Sequence, residues 1–263
     1  MTKKYEFTGE TKVWGGITLK RIRAARDFTL NDGMKVAKGD LGGWIEKENN
    51  LSHTGSAWVF GDAVVYGNAK VYGDAQVFGN AMVHNNASVG DNAQVFGNAE
   101  VYGNAKVCGN AKVGGNAKVY NNAEVCGAAW VYGNAWVSGN AEVCGAAQVF
   151  GNANIYGDAE VYGYAWVCGY AWVCGDARIG GDARIGGDAR VEKSSDVIWF
   201  KNIWSSGRSF TYTRSNGKWT VGCFHGTGEE LIKKAYADSE VSGKCYEATV
   251  KYVEEIYKNI KTK

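Results

Sequence analysis

Histidines, cysteines and tryptophans are the side chains of this 263-residue chain with the most chemistry to offer. The histidines are His53, His84 and His225. A general base needs an orienting partner, and a zinc site needs its ligands brought together by spacing. No spacing joins these three. Among the seven cysteines there is no Cys-x-x-Cys pair, but Cys108, Cys126 and Cys144 recur at one fixed interval. A stacked thiol ladder could bind a soft metal or oxidise. The plainer reading is that cysteine fills a recurring slot as a small hydrophobe. The chain contains no phosphate loop and no nucleophile motif. The sequence therefore predicts no catalytic residue, no cofactor and no metal.

The elements that must position any site are set by a repeat. Residues 55–192 are 23 six-residue units of the form Gly-(Asn/Asp)-Ala-x-(Val/Ile)-z, typified by Gly67-Asn68-Ala69-Lys70-Val71-Tyr72. Alanine and valine two apart in a strand share a face, and x points the other way. The Gly-Asn pair supplies the bend, because both residues tolerate positive φ. Three units close a triangular coil with valine and alanine inside, and the interval between the three cysteines is one such coil. The chain contains 37 glycines and no proline, and the glycines sit mostly at one phase of the repeat. They mark a solenoid and not a flexible linker.

These units resemble the hexapeptide repeat of left-handed parallel β-helix proteins, (Leu/Ile/Val)-(Gly/Ala/Glu/Asp)-x-x-(Ser/Thr/Ala/Val)-x. Ile179-Gly180-Gly181-Asp182-Ala183-Arg184 fits every position, whereas most units carry an aromatic or Cys where that pattern prefers Gly. The resemblance implies the left hand. It also implies two activities to weigh. Acyltransferases of this class use a catalytic His and loops inserted between coils, and here the array runs unbroken from Gly55 to Glu192. The γ-class carbonic anhydrases of similar fold use three zinc-binding His, and here only His84 lies in the array. His84 reads as a tolerated substitution on an exposed corner.

Segments flank the array on both sides. Residues 1–54 read as an N-terminal β cap, since a raw solenoid end exposes edge and core. Its strands are expected at Tyr5–Trp14 and Ile17–Phe28, with a turn at Asn31-Asp32-Gly33. Residues 193–263 read as a small C-terminal α+β domain of three strands and two helices. The strands are expected at Val197–Trp204, Ser209–Arg214 and Trp219–Phe224, around a turn at Ser215-Asn216-Gly217-Lys218. Thr227 with Glu230 is a capping box for a helix at Gly228–Ala237, and Ser242–Lys261 carries apolar residues at helical spacing. Gly222-Cys223-Phe224-His225-Gly226-Thr227 resembles a small tail domain of phage and prophage proteins. His225 reads as a turn residue before the helix.

Net charge is +2, too small to imply bulk nucleic-acid binding. No segment has the ~20 apolar residues of a membrane span. The Met-Thr-Lys-Lys start has no signal-length apolar run, so a cytoplasmic protein with reduced thiols is expected.

Every third unit stacks, so the x residues sort into three faces. One reads Trp58, Gln76, Gln94, Lys112, Trp130, Gln148, Trp166, Arg184. A second reads Val64, Met82, Glu100, Lys118, Trp136, Asn154, Trp172, Arg190. The third reads Lys70, Ser88, Lys106, Glu124, Glu142, Glu160, Arg178 and looks solvated. The Asn/Asp slot departs to Ala128, Ala146, Tyr164 and Tyr170 in the same region. Trp130, Trp136, Tyr164, Trp166, Tyr170 and Trp172 are therefore expected to form an aromatic patch, with Arg178, Arg184 and Arg190 one coil beyond. A contiguous exposed aromatic patch needs an occupant. Self-association, with a trimer favoured, cover by the C-terminal domain, and capture of a nucleotide, nucleobase or glycan compete for it. The function expected is that of a non-catalytic binding or scaffold protein of phage or prophage type. Such a protein would act on a host partner or sequester a small nucleotide-type ligand. The alternative is an acyltransferase of the hexapeptide class with its site between subunits.

Overall fold

The computed structural model describes residues 3–202, 204 and 207–260. Residues 55–192 form a parallel β-solenoid of about eight turns. Its 23 strands, β6 to β28, are two residues each, from Trp58–Val59 to Arg190–Val191. Each strand pairs in register with the strand three units on, as in Lys112↔Trp130 and Val113↔Val131. Three sheets result, and they separate the x residues into the three expected faces. The alanines and the Val/Ile residues of the units are buried and form one continuous core.

The bend chemistry differs from the sequence expectation. The first residue of the unit alone takes the left-handed conformation, and Asn85, Asp91 and Asn121 adopt it where glycine is missing, at φ 59°, 53° and 60°. These are residue types that tolerate that region. The second-position asparagines instead form hydrogen-bond ladders up the corners. Asn68, Asn86, Asn104, Asn122 and Asn140 each donate to the next residue up, ending on Asp158, at 2.8–3.1 Å.

The N-terminal segment extends one sheet. Strands β1 (Tyr5–Trp14) and β2 (Ile17–Ala24) form an antiparallel hairpin. β2 pairs with β5 (Leu41–Ile45), which runs parallel to the solenoid strand Val64–Val65. The second strand stops at Ala24 and not at Phe28. Phe28–Thr29 (β3) leaves the sheet to pair with Lys35–Val36 (β4) across the expected turn. That departure sets the Phe28 ring edge-on to Trp58 at 5.2 Å. Trp58, an x residue expected outside, is buried beneath this cap.

Both ends of the rod are closed by hydrogen bonds. Inside the array each x residue donates its N–H to the alanine carbonyl one coil on, as Trp58 does to Ala75 at 2.9 Å. The first coil therefore has three alanine carbonyls without a partner in the array, and the last coil three such N–H groups. Lys4 Nζ donates to Ala57 O at 2.7 Å, Trp44 N to Ala63 O at 2.9 Å, and Asn50 Nδ2 to Ala69 O at 2.8 Å. At the other end Ser194 Oγ, Thr211 Oγ1 and Ser215 Oγ accept from the N–H groups of Arg178, Arg184 and Arg190 at 2.7–2.9 Å. Buried backbone groups need partners, and these six edge groups have them.

The C-terminal region is a meander of four strands, not three: β29 (Val197–Lys201), β30 (Ser209–Thr213), β31 (Lys218–Val221) and β32 (Phe224–Gly226). Gly222, at φ 59°, reverses the chain so that Phe224 pairs back with Val221. His225 thus lies in a strand and not in a turn. Helices α1 (Gly228–Asp238) and α2 (Glu240–Ile260) cover the sheet, and the Thr227–Glu230 capping box forms as expected. Phe210, Trp219, Leu231, Tyr246 and Val250 belong to a core of this region's own. Among the described residues no helix is long and apolar enough to cross a membrane.

Candidate functional site

The tryptophans are placed by sheet register. Trp130 and Trp166 lie on one sheet with Gln148 between them. Trp136 and Trp172 lie on the next with Asn154 between them. Each pair is two coils apart, roughly 10 Å at the usual strand spacing. The z residues on both sheets stack as ring columns. Tyr66, His84, Tyr102 and Tyr120 are parallel, with centroids 4.8–5.1 Å apart. The column stops at Ser138, and Trp136 meets Tyr120 edge-on, 6.5 Å away at 77°. Trp172 meets Tyr156 and Trp166 meets Phe150 in the same way, at 6.2 and 6.0 Å, beside the small residues Cys174 and Cys168. A small residue two places after the tryptophan leaves its ring room to turn onto the aromatic of the preceding coil. Trp130 is followed by Tyr132 and stays beside it, 6.4 Å away.

Residues of the expected patch line three concavities, the smallest, of about 340 Å³, lying between Trp166, Arg184 and His225. A groove of about 710 Å³ on the sheet of Trp136 and Trp172 has those two rings, Tyr156 and Tyr170 as walls and Asn154 and Ser138 among its floor residues. Arg190 sits over the Trp172 ring at 4.8 Å. A cleft of about 580 Å³ lies where the solenoid meets the C-terminal region, with Tyr164, Trp166, Gln148 and Arg184 on the solenoid side. Lys201 and Arg208 of the C-terminal region complete it. Arg184 covers the Trp166 ring at 4.5 Å and donates from Nη1 to Gly222 O at 3.1 Å. Lys201 pairs with Asp182 at 2.6 Å. The corner ladder Asn31–Asn92–Asn110 has no successor at Ala128 and Ala146, and Ala146 lines the cleft.

Two of the expected site residues stand apart. Arg178 is on the third sheet, ion-paired with Glu160 at 3.0 Å, and does not join the aromatic residues. Trp130 stacks under Lys112 Nζ at 4.8 Å and lines none of these cavities. The C-terminal region sits at the rod's end, reaching Arg184 and Arg190. It leaves Trp130 and Trp136 45 % exposed, Trp172 39 %, and Tyr164 and Tyr170 nearly 70 %. Lys201 and Arg208 escaped the sequence reading because their place depends on how the C-terminal sheet docks. The legible signal was that Ala146 and Tyr164, both lining the cleft, depart from the Asn/Asp slot.

The histidines occupy structural settings. His84 is half-buried in its ring column, not on an exposed corner, with Tyr66 on one face and Tyr102 on the other. Burial holds its pKa below the usual value. His53 stacks on Tyr5 at 4.3 Å and bonds Glu48. His225 bonds Thr220 Oγ1 at 3.1 Å and lies against Gly187 of the last coil.

The fold and the repeat define the class: the chain is a repeat β-solenoid protein. Residues 75–91, about one coil, match the family model described as the YdcK beta solenoid repeat. No curated protein matches the chain.

Proposed function

We propose that this is a non-catalytic binding protein whose rod holds a ligand cleft against the C-terminal region. The ligand class that fits is a small anion with a flat ring, of nucleotide type. One observation carries the reading. Tyr164 and Trp166 line the same cleft as Arg184, Lys201 and Arg208, and Asp182, paired with Lys201, is the one carboxylate among its lining residues. Stacking with cation–π contact suits a base, and guanidinium groups suit phosphate. Ala146 leaves the space that the asparagine ladder fills in earlier coils.

The phage or prophage setting, a host partner and a cytoplasmic location belong to the same reading. Their support is the likeness of Gly222–Thr227 to a small C-terminal domain of phage and prophage proteins and the seven cysteines, all free thiols. A homo-oligomer, a trimer favoured, would use Trp130 and Trp136, which neither the cap nor the C-terminal region covers. Because both rod ends are closed, copies would meet along their sides. The acyltransferase reading would need a base on the rod, and both ring faces of His84 are occupied by tyrosines.

Calorimetry with nucleoside mono-, di- and triphosphates tests the cleft. Binding is expected, weakened about 5- to 150-fold by Tyr164→Ala or Arg208→Ala, since each lost stacking or charged contact is worth about 1–3 kcal/mol. Turnover of an acyl-CoA, or no binding by any nucleotide, would overturn the reading.

A further inference from the structure

We propose that Cys126, Glu142 and Cys144 form a binding site for a thiophilic divalent cation of the zinc class. The site is separate from the ligand cleft and lies on the sheet that the sequence reads as a plain solvated face.

Geometry is the first support. One ligand atom from each residue lies within 4.8 Å of the other two. Glu142 and Cys144 flank the inward Val143, so both point outward from one strand. Cys126 comes from the coil before, and its thiol donates to Glu142 Oε1 at 3.9 Å. Two sulfurs and a carboxylate oxygen are a donor set that zinc accepts, with a fourth position left for water.

Electrostatics is the second, independent support. Glu124, Glu142 and Glu160 stand directly across from one another in successive coils. Like charges opposite each other on neighbouring strands destabilise a sheet. Each outer glutamate has a cation beside it: Lys106 is across from Glu124, and Arg178 is bonded to Glu160 at 3.0 Å. Glu142 has a glutamate on both sides and thiols next to it. A bound cation at this point removes the repulsion.

The column is also bounded. The ring of Tyr72 fills the space over Gly90, one coil before Cys108, and Tyr162 follows Cys144 one coil on. On binding, two S–H bonds break, two metal–sulfur bonds form, and two protons pass to solvent. The metal's oxidation state does not change. Affinity therefore rises with pH.

The test uses the full chain, reduced and freed of metal by chelation, titrated with Cd²⁺ and followed by thiolate-to-metal charge-transfer absorption. The expected result is one ion per chain with two protons released. Zn²⁺ should displace the Cd²⁺ band. Cys126→Ser and Cys144→Ser should each abolish the band, and Glu142→Gln should weaken binding about 10- to 100-fold. Glu142 is half-exposed, so its variant tests the site without disturbing the core. Cys223→Ser and Cys245→Ser should bind as the wild type does. No band with excess Cd²⁺, or a band that survives in the folded Cys126→Ser/Cys144→Ser double variant, would overturn the proposal.

Discussion

The Lys4 ammonium donates to the carbonyl of Ala57 at 2.7 Å and so closes one of the three sheet edges at the start of the rod. Burial and the nearby Arg26 charge lower the Lys4 pKa to about 8, with Asp74 opposing. The folded value lies below the unfolded one, so between about pH 8 and 10.5 the unfolded chain holds more protons. Lys4's own contribution to stability therefore rises with pH through that window, while the thiols of Cys108, Cys126, Cys144 and Cys168, held above their usual value by burial, act against it above about pH 9. Tyr5, raised by its own burial, acts in the opposite sense once tyrosines of the unfolded chain ionise above pH 10. The urea midpoint of the wild type relative to that of Lys4→Met is therefore expected to rise between pH 7.5 and pH 9.5. A relative midpoint that falls over the same interval would contradict it.

At the far end, Thr211 Oγ1 accepts from the Arg184 N–H at 2.9 Å. Thr211→Val keeps the shape and orphans a partly buried donor, a change expected to cost about 1–2 kcal/mol. Hydrogen exchange should show lost protection at Arg184 and its neighbours, with the core of the middle coils unchanged.

The asparagine ladders should be additive in small steps. Asn104 both accepts from Asn86 and donates to Asn122, so Asn104→Ala removes two links and should cost roughly 1–2 kcal/mol. Asn110 ends the ladder of its corner, with Ala128 next. Ala128→Asn should extend that ladder and stabilise by about 0.5–1 kcal/mol, read as a rise in thermal midpoint.

Trp136 and Ser138 are coupled through space. Ser138→Phe would drive a ring into the room that Trp136 uses against Tyr120. In the wild-type background it should destabilise by about 1–3 kcal/mol. In a Trp136→Ala background the same change should be nearly neutral, because the introduced ring can then continue the column. Equal costs in both backgrounds would rule the coupling out, and a double-mutant cycle by denaturant unfolding measures it.

The repeat itself carried most of the fold. A fixed six-residue period sets bend, inward alanine and inward valine locally, so the coil, its register and the identity of each face follow from spacing alone. The Trp-Val-Ser and Trp-Val-Cys triplets at 136–138, 166–168 and 172–174 were also in plain view, because i and i+2 share a face. What needed the tertiary structure is whatever joins residues from different periods or segments. The asparagines read as bend formers in the sequence, but a ladder exists only once coils are stacked. His84 reads as exposed until the tyrosines one coil away on either side are brought over its faces. Cys126, Glu142 and Cys144 became a cluster only when side chains of two coils turned toward each other. Lys4 and Thr211 became edge partners, and Lys201 and Arg208 became cleft residues, because the terminal regions docked on the rod. No local pattern fixes that docking, since it depends on complementary surfaces far apart in the chain. The sequence determined the rod; three-dimensional packing decided where it ends and where it can bind.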